Sequence, residues 1–582
     1  MQFPADFTAR EQALLGPRFA ELYAYATPQP ARGVTVNGLR CTPEWFAAHA
    51  DFAAALSPFC PTAFTTAADF KPGRHPWHHA GVFYAQEPSA SAPAALLDVH
   101  PGMKVADLCA APGGKTSQLA EALQGQGLLL ANEFVAARAE ILRQNLERMG
   151  VTNAVITNED TANLAKALPG VFDRVLVDAP CSGEGMFRKE PVAATQHNNA
   201  LVEHCAALGA EILENAAAML APGGVLVYST CTFAPQEDEA QIAAFLARHP
   251  EFTLCDLNAC GFGRPGEENR APGCTDITRC RRIWPADGGE GHFMAKLKKS
   301  PDAEAPAPVR VKPGKPAKTP PEWLDFVKAA FPFLADRPLT TAGDWLLLPV
   351  PGSELLNLSK LRIVRGGVLA GSVLKKRFQP AHALFMAYGA RCTNREELTL
   401  DDPRTAAWLR GEEINAATAQ NGWCAVLVDG FPLGGGKASG GRIKNHYPKG
   451  LRSRYCQGFV TKLDNKFQCV NRYMLLETQF NRPVAWPWGG VWFCTTLLAR
   501  HYVAGCVGLL SRLATGRRTG TPWRGYTAVA CPVPRGVYRR QTCRRTSGGC
   551  NGLPSVVPRW LVSALLLPCS YLWAVYGVPA CL

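Results

Sequence analysis

The stretch Asp107-Leu108-Cys109-Ala110-Ala111-Pro112-Gly113-Gly114-Lys115-Thr116 decides the fold of this 582-residue chain. The stretch begins at the end of a short buried strand, 105–108, and leads into a helix that opens at Ser117. From 103 to about 299, further apolar runs alternate with segments of helical spacing. This alternation is typical of a parallel sheet covered by helices. The predicted fold class is therefore α/β, with a Rossmann-like core built as a doubly wound parallel sheet.

The predicted elements of this core follow from its hydrophobic spacing. The predicted strands are 105–108, 128–131, 155–157, 175–177 and 225–228, and the predicted helices are 117–123, 136–149 and 202–220. In such a sheet, ligands bind at the carboxyl ends of the strands. The residues that follow each strand are therefore the candidates for the functional site.

The glycine-rich turn after the first strand predicts an anion site, because it lets backbone N–H groups approach an anionic ligand group at the helix N-terminus. A P-loop would need glycine where Cys109 stands, and no GxGxxG pattern is present. The methionine carboxylate of S-adenosylmethionine remains as the anion. The predicted cofactor contacts in this turn are Cys109, Ala110, Ala111, Pro112, Gly113, Gly114 and Lys115.

Acidic residues follow the next three strands and support the same cofactor. Glu133 ends the second strand, where its carboxylate can accept both ribose hydroxyls. Asp160 follows the third strand and is expected near the adenine, and Asp178 ends the fourth. Each residue alone is as readily a helix cap or a surface carboxylate. Three in succession favour a cofactor site.

Two cysteines follow neighbouring strands. Cys181 lies in Asp178-Ala179-Pro180-Cys181-Ser182-Gly183, and Cys231 lies in Ser229-Thr230-Cys231-Thr232. An isolated cysteine is usually a small buried apolar residue. Two cysteines at the cofactor edge of a sheet favour a thiolate nucleophile instead.

These motifs together resemble those of the Sun-type RNA cytosine-5 methyltransferases. The resemblance is closest to the RsmF-like bacterial 16S rRNA branch. It extends over roughly residues 5–452 and includes the flanking segments 32–37, 83–87, 282–285 and 291–295. The segment 430–450 resembles the end of a PUA-like domain.

The resemblance implies a role for each residue of the site. It assigns attack on C6 of cytosine to Cys231 and help with release to Cys181. It places Asp178 at the N3 edge of the base. Lys189 is expected near the nucleophile and the base, although a contact to phosphate suits it nearly as well. The target base must leave any stack, which favours an unpaired site in RNA.

The predicted function is methyl transfer from S-adenosylmethionine to C5 of a cytidine in small-subunit (16S) rRNA. Action on tRNA is the alternative with the same chemistry. A non-catalytic RNA-binding assembly factor is the alternative of another class. The intact cofactor turn, Cys231, Cys181 and Asp178 argue against the second alternative.

Composition along the chain predicts the domain organisation. The expected segments are an N-terminal α+β RNA-binding domain at 1–95, a catalytic domain at 96–299, a Pro- and Lys-rich linker at 300–321, a β-rich PUA-like RNA-binding domain at 322–452, and an unrecognised basic tail at 453–582.

Charge is unevenly distributed between these segments. Of the 61 basic residues 45 lie in 1–452 and 16 beyond, and of the 48 acidic residues 46 lie in 1–452 and two beyond. Residues 1–452 are thus nearly neutral, so RNA binding must come from local patches. The candidate patches are 296–299, the linker lysines Lys312, Lys315 and Lys318, 375–378, and 442–452.

The N-terminus has no apolar secretory segment, and the cysteines of 1–452 form no CxxC pair. A reduced cytosolic monomer without a metal site is expected. The tail is interpreted as out-of-frame or read-through translation. Its segment 560–582 is uncharged and long enough for a membrane anchor, but Pro568 and Pro579 interrupt it.

We expect a chain that stops after Arg452 to remain soluble and fully active, because every recognised motif precedes that residue. Methyl-transfer activity of the shortened chain is the measurement. Loss of cofactor binding on truncation would contradict the interpretation of the tail. Membrane association of the full-length chain alone would favour an anchor.

Overall fold

The computed structural model describes residues 3–25, 29–307, 309, 311 and 317–452. The tail, 453–582, and the membrane-anchor hypothesis for 560–582 lie outside these residues. No helix within the described ranges is both long and apolar enough to cross a bilayer.

The N-terminal region contains an antiparallel sheet in the order β2-β3-β1-β4. Its elements are α1 (Ala5–Leu15), β1 (Gly33–Val36), α2 (Pro43–His49), β2 (Ala53–Leu56), β3 (Ala63–Thr66), α3 (Pro76–His79) and β4 (Phe83–Ala85). The spacing of 7–26 is helical in the sequence, and the structure divides this stretch between an α-helix and a 3-10 segment. Gly16 takes the left-handed value φ +54° and Pro17 follows it, so the α-helix ends at Leu15 and a 3-10 segment, Gly16–Tyr23, continues.

The central region, 96–299, alternates strands and helices as its sequence predicts. Its strands are β5 (Lys104–Asp107), β6 (Leu128–Asn132), β7 (Ala154–Thr157), β8 (Phe172–Asp178), β9 (Leu220–Thr230), β10 (Phe252–Leu254), β11 (Arg264–Pro265), β12 (Arg281–Ile283) and β13 (His292–Lys299). Its helices are α4 (Ala92–Leu96), α5 (Gly114–Leu123), α6 (Ala136–Met149), α7 (Thr161–Ala167), α8 (Pro191–Gln196), α9 (Asn199–Met219) and α10 (Glu239–Arg248).

The strands β9-β8-β5-β6-β7 form the parallel centre of one sheet. The chain runs outward from β5 through β6 and β7, and then returns to the other side of β5 for β8 and β9. The strand order therefore reverses beside β5, and a crevice opens there at the carboxyl ends of β5 and β8. Antiparallel strands β13, β12 and β11 extend the sheet beyond β9.

Apolar clusters cover both faces of this sheet. One face is packed by side chains such as Leu213, Phe245 and Phe293, and the other by side chains such as Leu119 and Leu142. Each of these five side chains is fully buried. Burying one such side chain contributes about 1.5–3 kcal/mol, so the clusters fix the strands that carry the site.

The C-terminal region contains two further sheets, β14-β15-β17-β18 and β19-β21-β22-β23-β20. Its helices are α11 (Pro321–Ala330), α12 (His382–Tyr388) and α13 (Pro403–Arg410), and its strands are β14 (Thr340–Ala342), β15 (Trp345–Leu348), β16 (Ile363–Gly366), β17 (Val368–Leu374), β18 (Arg377–Pro380), β19 (Arg395–Leu398), β20 (Ile414–Asn415), β21 (Gly422–Val428), β22 (Phe431–Ser439) and β23 (Arg442–Asn445).

The C-terminal region is joined to the other two by specific contacts. β16 adds antiparallel to β7 at the edge of the sheet of the central region, with Ile363 opposite Thr157. The indole Nε1 of Trp77 donates to Asp429 at 2.7 Å, which links the N-terminal region to the β21–β22 turn. The sequence gives no sign of either contact, because each joins distant segments.

A buried arginine links α10 to β12 behind the site. The Arg282 side chain is 1% exposed and donates from Nε to Glu239 at 2.5 Å and from Nη2 to Asp238 at 2.9 Å. Burial raises the pKa of Asp238, and the Arg282 guanidinium opposes that rise. Removing the arginine would leave two buried carboxylates without their cation.

We expect Arg282→Met to destabilise the fold by about 3–5 kcal/mol, because a buried charge loses its partner. The loss should grow as the pH rises, because the stranded carboxylates avoid the penalty only when protonated. Thermal unfolding at several pH values measures it. Arg248→Met removes an exposed ion pair with Glu214 and should cost under about 1 kcal/mol. Equal effects of the two substitutions would contradict the expectation.

Candidate active site

The cofactor turn lies at the carboxyl end of β5. The hydroxyl of Thr116 donates to Asp107 Oδ2 at 2.7 Å, and the Ala110 amide donates to the carbonyl of Asn132 at 2.8 Å. Gly113 has φ +112°, a left-handed value that a side chain rarely adopts. These contacts hold the turn against the ends of β5 and β6.

The residues of this turn suit the methionine part of S-adenosylmethionine. Asp107 is 1% exposed, and its Oδ1 has no hydrogen-bond partner within the described residues. Burial raises the pKa of Asp107 to about 7, and the hydrogen bond from Thr116 opposes the rise. An unpaired buried acceptor suits an ammonium group, and the amides that open α5 suit a carboxylate. The chemistry of the turn therefore fits the cofactor.

Two acidic residues predicted to bind the cofactor have different surroundings. Glu133 is buried at the end of β6, and its Oε1 accepts the amide hydrogen of Val135 at 2.9 Å. Burial raises the pKa of Glu133, while the nearby Arg138 guanidinium lowers it. Asp160 instead caps α7, accepting from the amide of Ala162 at 2.8 Å.

The predicted Asp178 forms an ion pair with Lys115 of the cofactor turn. The Lys115 Nζ lies 2.7 Å from Asp178 Oδ2, and the Ser229 hydroxyl donates to Oδ1 at 2.8 Å. Burial would raise the pKa of Asp178, but the Lys115 ammonium and the Ser229 hydroxyl outweigh burial and lower it. The carboxylate therefore stays ionised and holds Lys115 at the junction of both motifs.

The two predicted cysteines lie together. The Sγ atoms of Cys181 and Cys231 are 3.3 Å apart, and the Cys231 amide donates to the Cys181 sulfur at 3.3 Å. The hydrogen bond with Cys231 and burial raise the pKa of the Cys181 thiol well above its usual value. Cys181 is therefore a thiol at neutral pH, and its sulfur touches the other sulfur directly.

The loop after β8, which carries Cys181, and the loop after β9, which carries Cys231, are the two cysteine loops. The contacts that hold them together could not be found from the sequence. Glu237 accepts from both the amide and the hydroxyl of Ser182, at 2.7 and 2.6 Å, and the Thr232 hydroxyl lies 2.7 Å from the same Ser182 hydroxyl. Burial raises the pKa of Glu237 to about 7, and the bonds from Ser182 lower it. A glutamate six residues after Cys231 carries no sequence signal of this role.

The N-terminal helix contributes a second support. Arg10 of α1 donates to the buried Glu184 at 2.6 Å, and the His197 ring nitrogen lies 2.7 Å from the other Glu184 oxygen. The amide of Phe233 also donates to Glu184, at 3.2 Å. Glu184 thus ties α1 to both cysteine loops.

The predicted Lys189 is exposed at the rim of the site. Its charge acts on two buried groups, Glu87 and His292, which are bridged by the Ser89 hydroxyl. Burial, together with the Lys115 and Lys189 ammonium groups, lowers the pKa of His292 to about 3, although the Asp178 carboxylate opposes the shift. Within the described residues, no hydrogen bond joins Lys189 to Cys181 or Cys231.

Comparison with known proteins gives matches over almost every described region. Residues 94–298 match 16S rRNA methyltransferase RsmB/F, 3–88 match the N-terminal domain of 16S rRNA methyltransferase RsmF, 325–388 match the RsmF rRNA methyltransferase first C-terminal domain, and 395–453 match the methyltransferase RsmF PUA domain.

Curated relatives match over most of their length. Ribosomal RNA small subunit methyltransferase F of Aeromonas salmonicida is 33% identical over 414 residues, 68% of this chain and 84% of the relative. The protein of the same name from Klebsiella pneumoniae is 31% identical and covers 77% of this chain and 96% of the relative. The chain belongs to the RsmF family of 16S rRNA methyltransferases.

Membership of the RsmF family confirms the predicted family, the α/β fold class with its PUA-like domain, and S-adenosylmethionine as the methyl donor. It also confirms the enzyme class, an RNA cytosine-5 methyltransferase. Among solved structures, a methyltransferase homologue from Pyrococcus horikoshii is 29% identical and covers 50% of this chain and 94% of its own, with a TM-score of 0.44.

We expect Glu133→Ala to weaken binding of S-adenosylmethionine by roughly ten- to a hundredfold. Loss of charge-assisted hydrogen bonds of this kind costs about 1.5–3 kcal/mol. Calorimetric titration with the cofactor measures it, and a thermal melt checks that the fold persists. The matched Glu140→Ala removes a half-exposed carboxylate of α6 and should leave affinity unchanged. Unchanged affinity of Glu133→Ala would remove this residue from the cofactor site.

Proposed function

We propose that this chain methylates C5 of a cytidine in 16S rRNA through a covalent bond between Cys231 and C6 of the base. The observation that carries the proposal is the pair of sulfur atoms, 3.3 Å apart, next to the Lys115–Asp178 ion pair. S-adenosylmethionine would be held by the cofactor turn, Glu133 and Asp160, and supplies the methyl group as an electrophile. No step requires a metal.

The first step is attack by Cys231. C5 of cytosine is a poor nucleophile. When the Cys231 sulfur adds to C6, the C5–C6 double bond opens, N3 takes up the proton that the thiol loses, and electron density moves onto C5. Asp178 remains ionised beside Lys115, so it can accept a hydrogen bond from N3–H of the protonated adduct. The adduct is thereby stabilised where the methyl group is transferred.

The second step is release. After methyl transfer, C5 loses its proton and the electron pair forms the C5–C6 double bond as the Cys231 thiolate leaves. Cys181 lies 3.3 Å from Cys231 and is held as a thiol, so it can donate its proton to the departing Cys231 thiolate, and the Cys181 thiolate formed in this way can accept the proton from C5. The thiol form of Cys181 supports this role in release rather than a role in attack. Lys189 at the rim is proposed to contact the base or its phosphate.

The two relatives named ribosomal RNA small subunit methyltransferase F align over 84% and 96% of their own length. Their name supports 16S rRNA over tRNA as the substrate of this chain. We propose that the N-terminal region, 1–95, and the C-terminal region, 322–452, bind RNA around the catalytic region, 96–299. The segment 300–321 serves as the linker between them. The enzyme acts as a cytoplasmic monomer.

The roles of Cys231 and Cys181 can be distinguished by trapping the covalent protein–RNA adduct. We expect Cys231→Ala to form neither adduct nor product with 16S rRNA and S-adenosylmethionine. Cys181→Ala should attack and transfer the methyl group but stall before release, and so accumulate a protein–RNA adduct. Denaturing gels with labelled RNA measure both outcomes.

Cys274→Ala is the matched control, because Cys274 lies outside the site. This variant should turn over like the unmodified chain. An adduct with Cys231→Ala and none with Cys181→Ala would reverse the assignment. Methylation of a tRNA transcript with 16S rRNA untouched would favour the tRNA alternative.

A further inference from the structure

A groove lies between the two sheets of the C-terminal region, and none of the cysteine-site residues lines it. Its volume is about 1210 Å³. The helix α11 and the β17–β18 hairpin form one wall, and residues of β21, β22 and β23 form the other. The groove therefore joins the segment matched as the first C-terminal domain to the one matched as a PUA domain.

Basic side chains outnumber acidic ones in this groove. The basic residues are Lys375, Lys376, Arg377, Arg395, Lys437 and Lys444, and the acidic residues are Glu322, Asp325 and Glu397. Arg395 lies 3.7 Å from Glu397. Within the described ranges, no ion pair joins the other five cations to a carboxylate. These cations are exposed and remain available to an anion.

The β17–β18 hairpin presents two of these lysines at a conformational cost. Leu374 pairs with Arg377, so Lys375 and Lys376 form a two-residue turn, and both have left-handed values, φ +49° and φ +59°. Turns of this kind favour Asn-Gly, because a side chain rarely adopts such angles. Strain of this kind often marks a functional site.

A second unfavourable arrangement, between two lysine side chains of like charge, lies on the opposite wall of the groove. Lys437 of β22 is directly opposite Lys444 of β23, and both are exposed. Like charges in directly opposed positions destabilise a sheet. Both unfavourable lysine pairs, 375–376 and 437–444, thus face the same groove from its two sides.

Aromatic rings lie beside the second lysine pair. Trp423 of β21 is opposite Lys437, and its ring centroid is 4.7 Å from that of His446. Trp423 is only partly buried. Burial and the Lys444 and Lys437 ammonium groups lower the pKa of His446, so this ring is neutral at physiological pH.

We propose that this groove binds a single-stranded segment of the RNA substrate. Phosphates would lie at the 375–377 turn and between Lys437 and Lys444, and a base would stack on Trp423. The proposal rests on the proposed function, because that function supplies RNA as the substrate. Cations combined with a partly exposed aromatic ring suit single-stranded nucleic acid better than an acidic peptide, which has no bases to stack.

The test uses full-length chains and a labelled single-stranded RNA about 12 nucleotides long. Lys375→Asn/Lys376→Gly gives the turn the residues that it prefers, and Lys437→Gln/Lys444→Gln removes the opposed charges. Each double variant should melt no lower than the unmodified chain and yet bind the RNA more weakly. The slope of log affinity against log salt should fall by about 1.4, since each single-strand phosphate contact contributes about 0.7.

The matched control is Lys104→Gln/Lys166→Gln, which removes the same charge from exposed positions outside the groove. It should leave the salt slope unchanged. Unchanged affinity and slope in both groove variants would overturn the proposal. Loss of binding to a glutamate-rich peptide, with RNA binding intact, would overturn it in favour of a protein partner.

Trp423→Ala should weaken RNA binding by roughly five- to a hundredfold through lost stacking, whereas Trp423→Phe should retain most of it. Equal binding by the Ala and Phe variants would remove the stacking contact. Binding is measured without cofactor, so the result does not depend on methyl transfer. RNA binding through the groove, together with no methylation of 16S rRNA in a separate assay that contains S-adenosylmethionine, would contradict the proposed function and leave the groove assignment standing.

Discussion

The site depends on the parallel register between β8 and β9. Asp178 ends β8 directly beside Ser229 of β9, so the two loops that follow leave the sheet together. Cys181 comes three residues after Asp178, and Cys231 comes two after Ser229. A shift of one residue in this register would point the strand-end side chains to opposite faces of the sheet. The contact between the two sulfurs is thus set by the backbone pairing of buried apolar strands.

Buried polar side chains then fix the loops that the sheet places. Glu237 accepts two hydrogen bonds from Ser182, Glu184 accepts one from the amide of Phe233, and Arg10 brings the N-terminal helix into the same network through Glu184. Buried charges are costly unless they are paired, so each group accepts only a narrow geometry. The N-terminal region is therefore a structural part of the active site as well as a proposed RNA-binding region.

Much of the site could be predicted from sequence, because strand-end residues in a parallel sheet converge at one edge. That rule placed the cofactor turn, Glu133, Asp178, Cys181 and Cys231 correctly on the same edge. It did not find the Lys115–Asp178 ion pair, the role of Glu237 or the addition of β16 to β7, because these depend on contacts between distant segments. The change from α-helix to 3-10 segment at Gly16 was also not found, since the helical spacing of 7–26 continues through Gly16 and Pro17.

The proposed product of the reaction at Cys231 is 5-methylcytidine in 16S rRNA. Bisulfite sequencing of 16S rRNA tests it directly in cells that carry the gene, lack it, or carry Cys231→Ala in its place. Because 5-methylcytidine resists conversion, a cytidine should stay unconverted only in cells with the unmodified gene. The same pattern of unconverted cytidines in all three strains, or a difference confined to tRNA, would contradict this proposal.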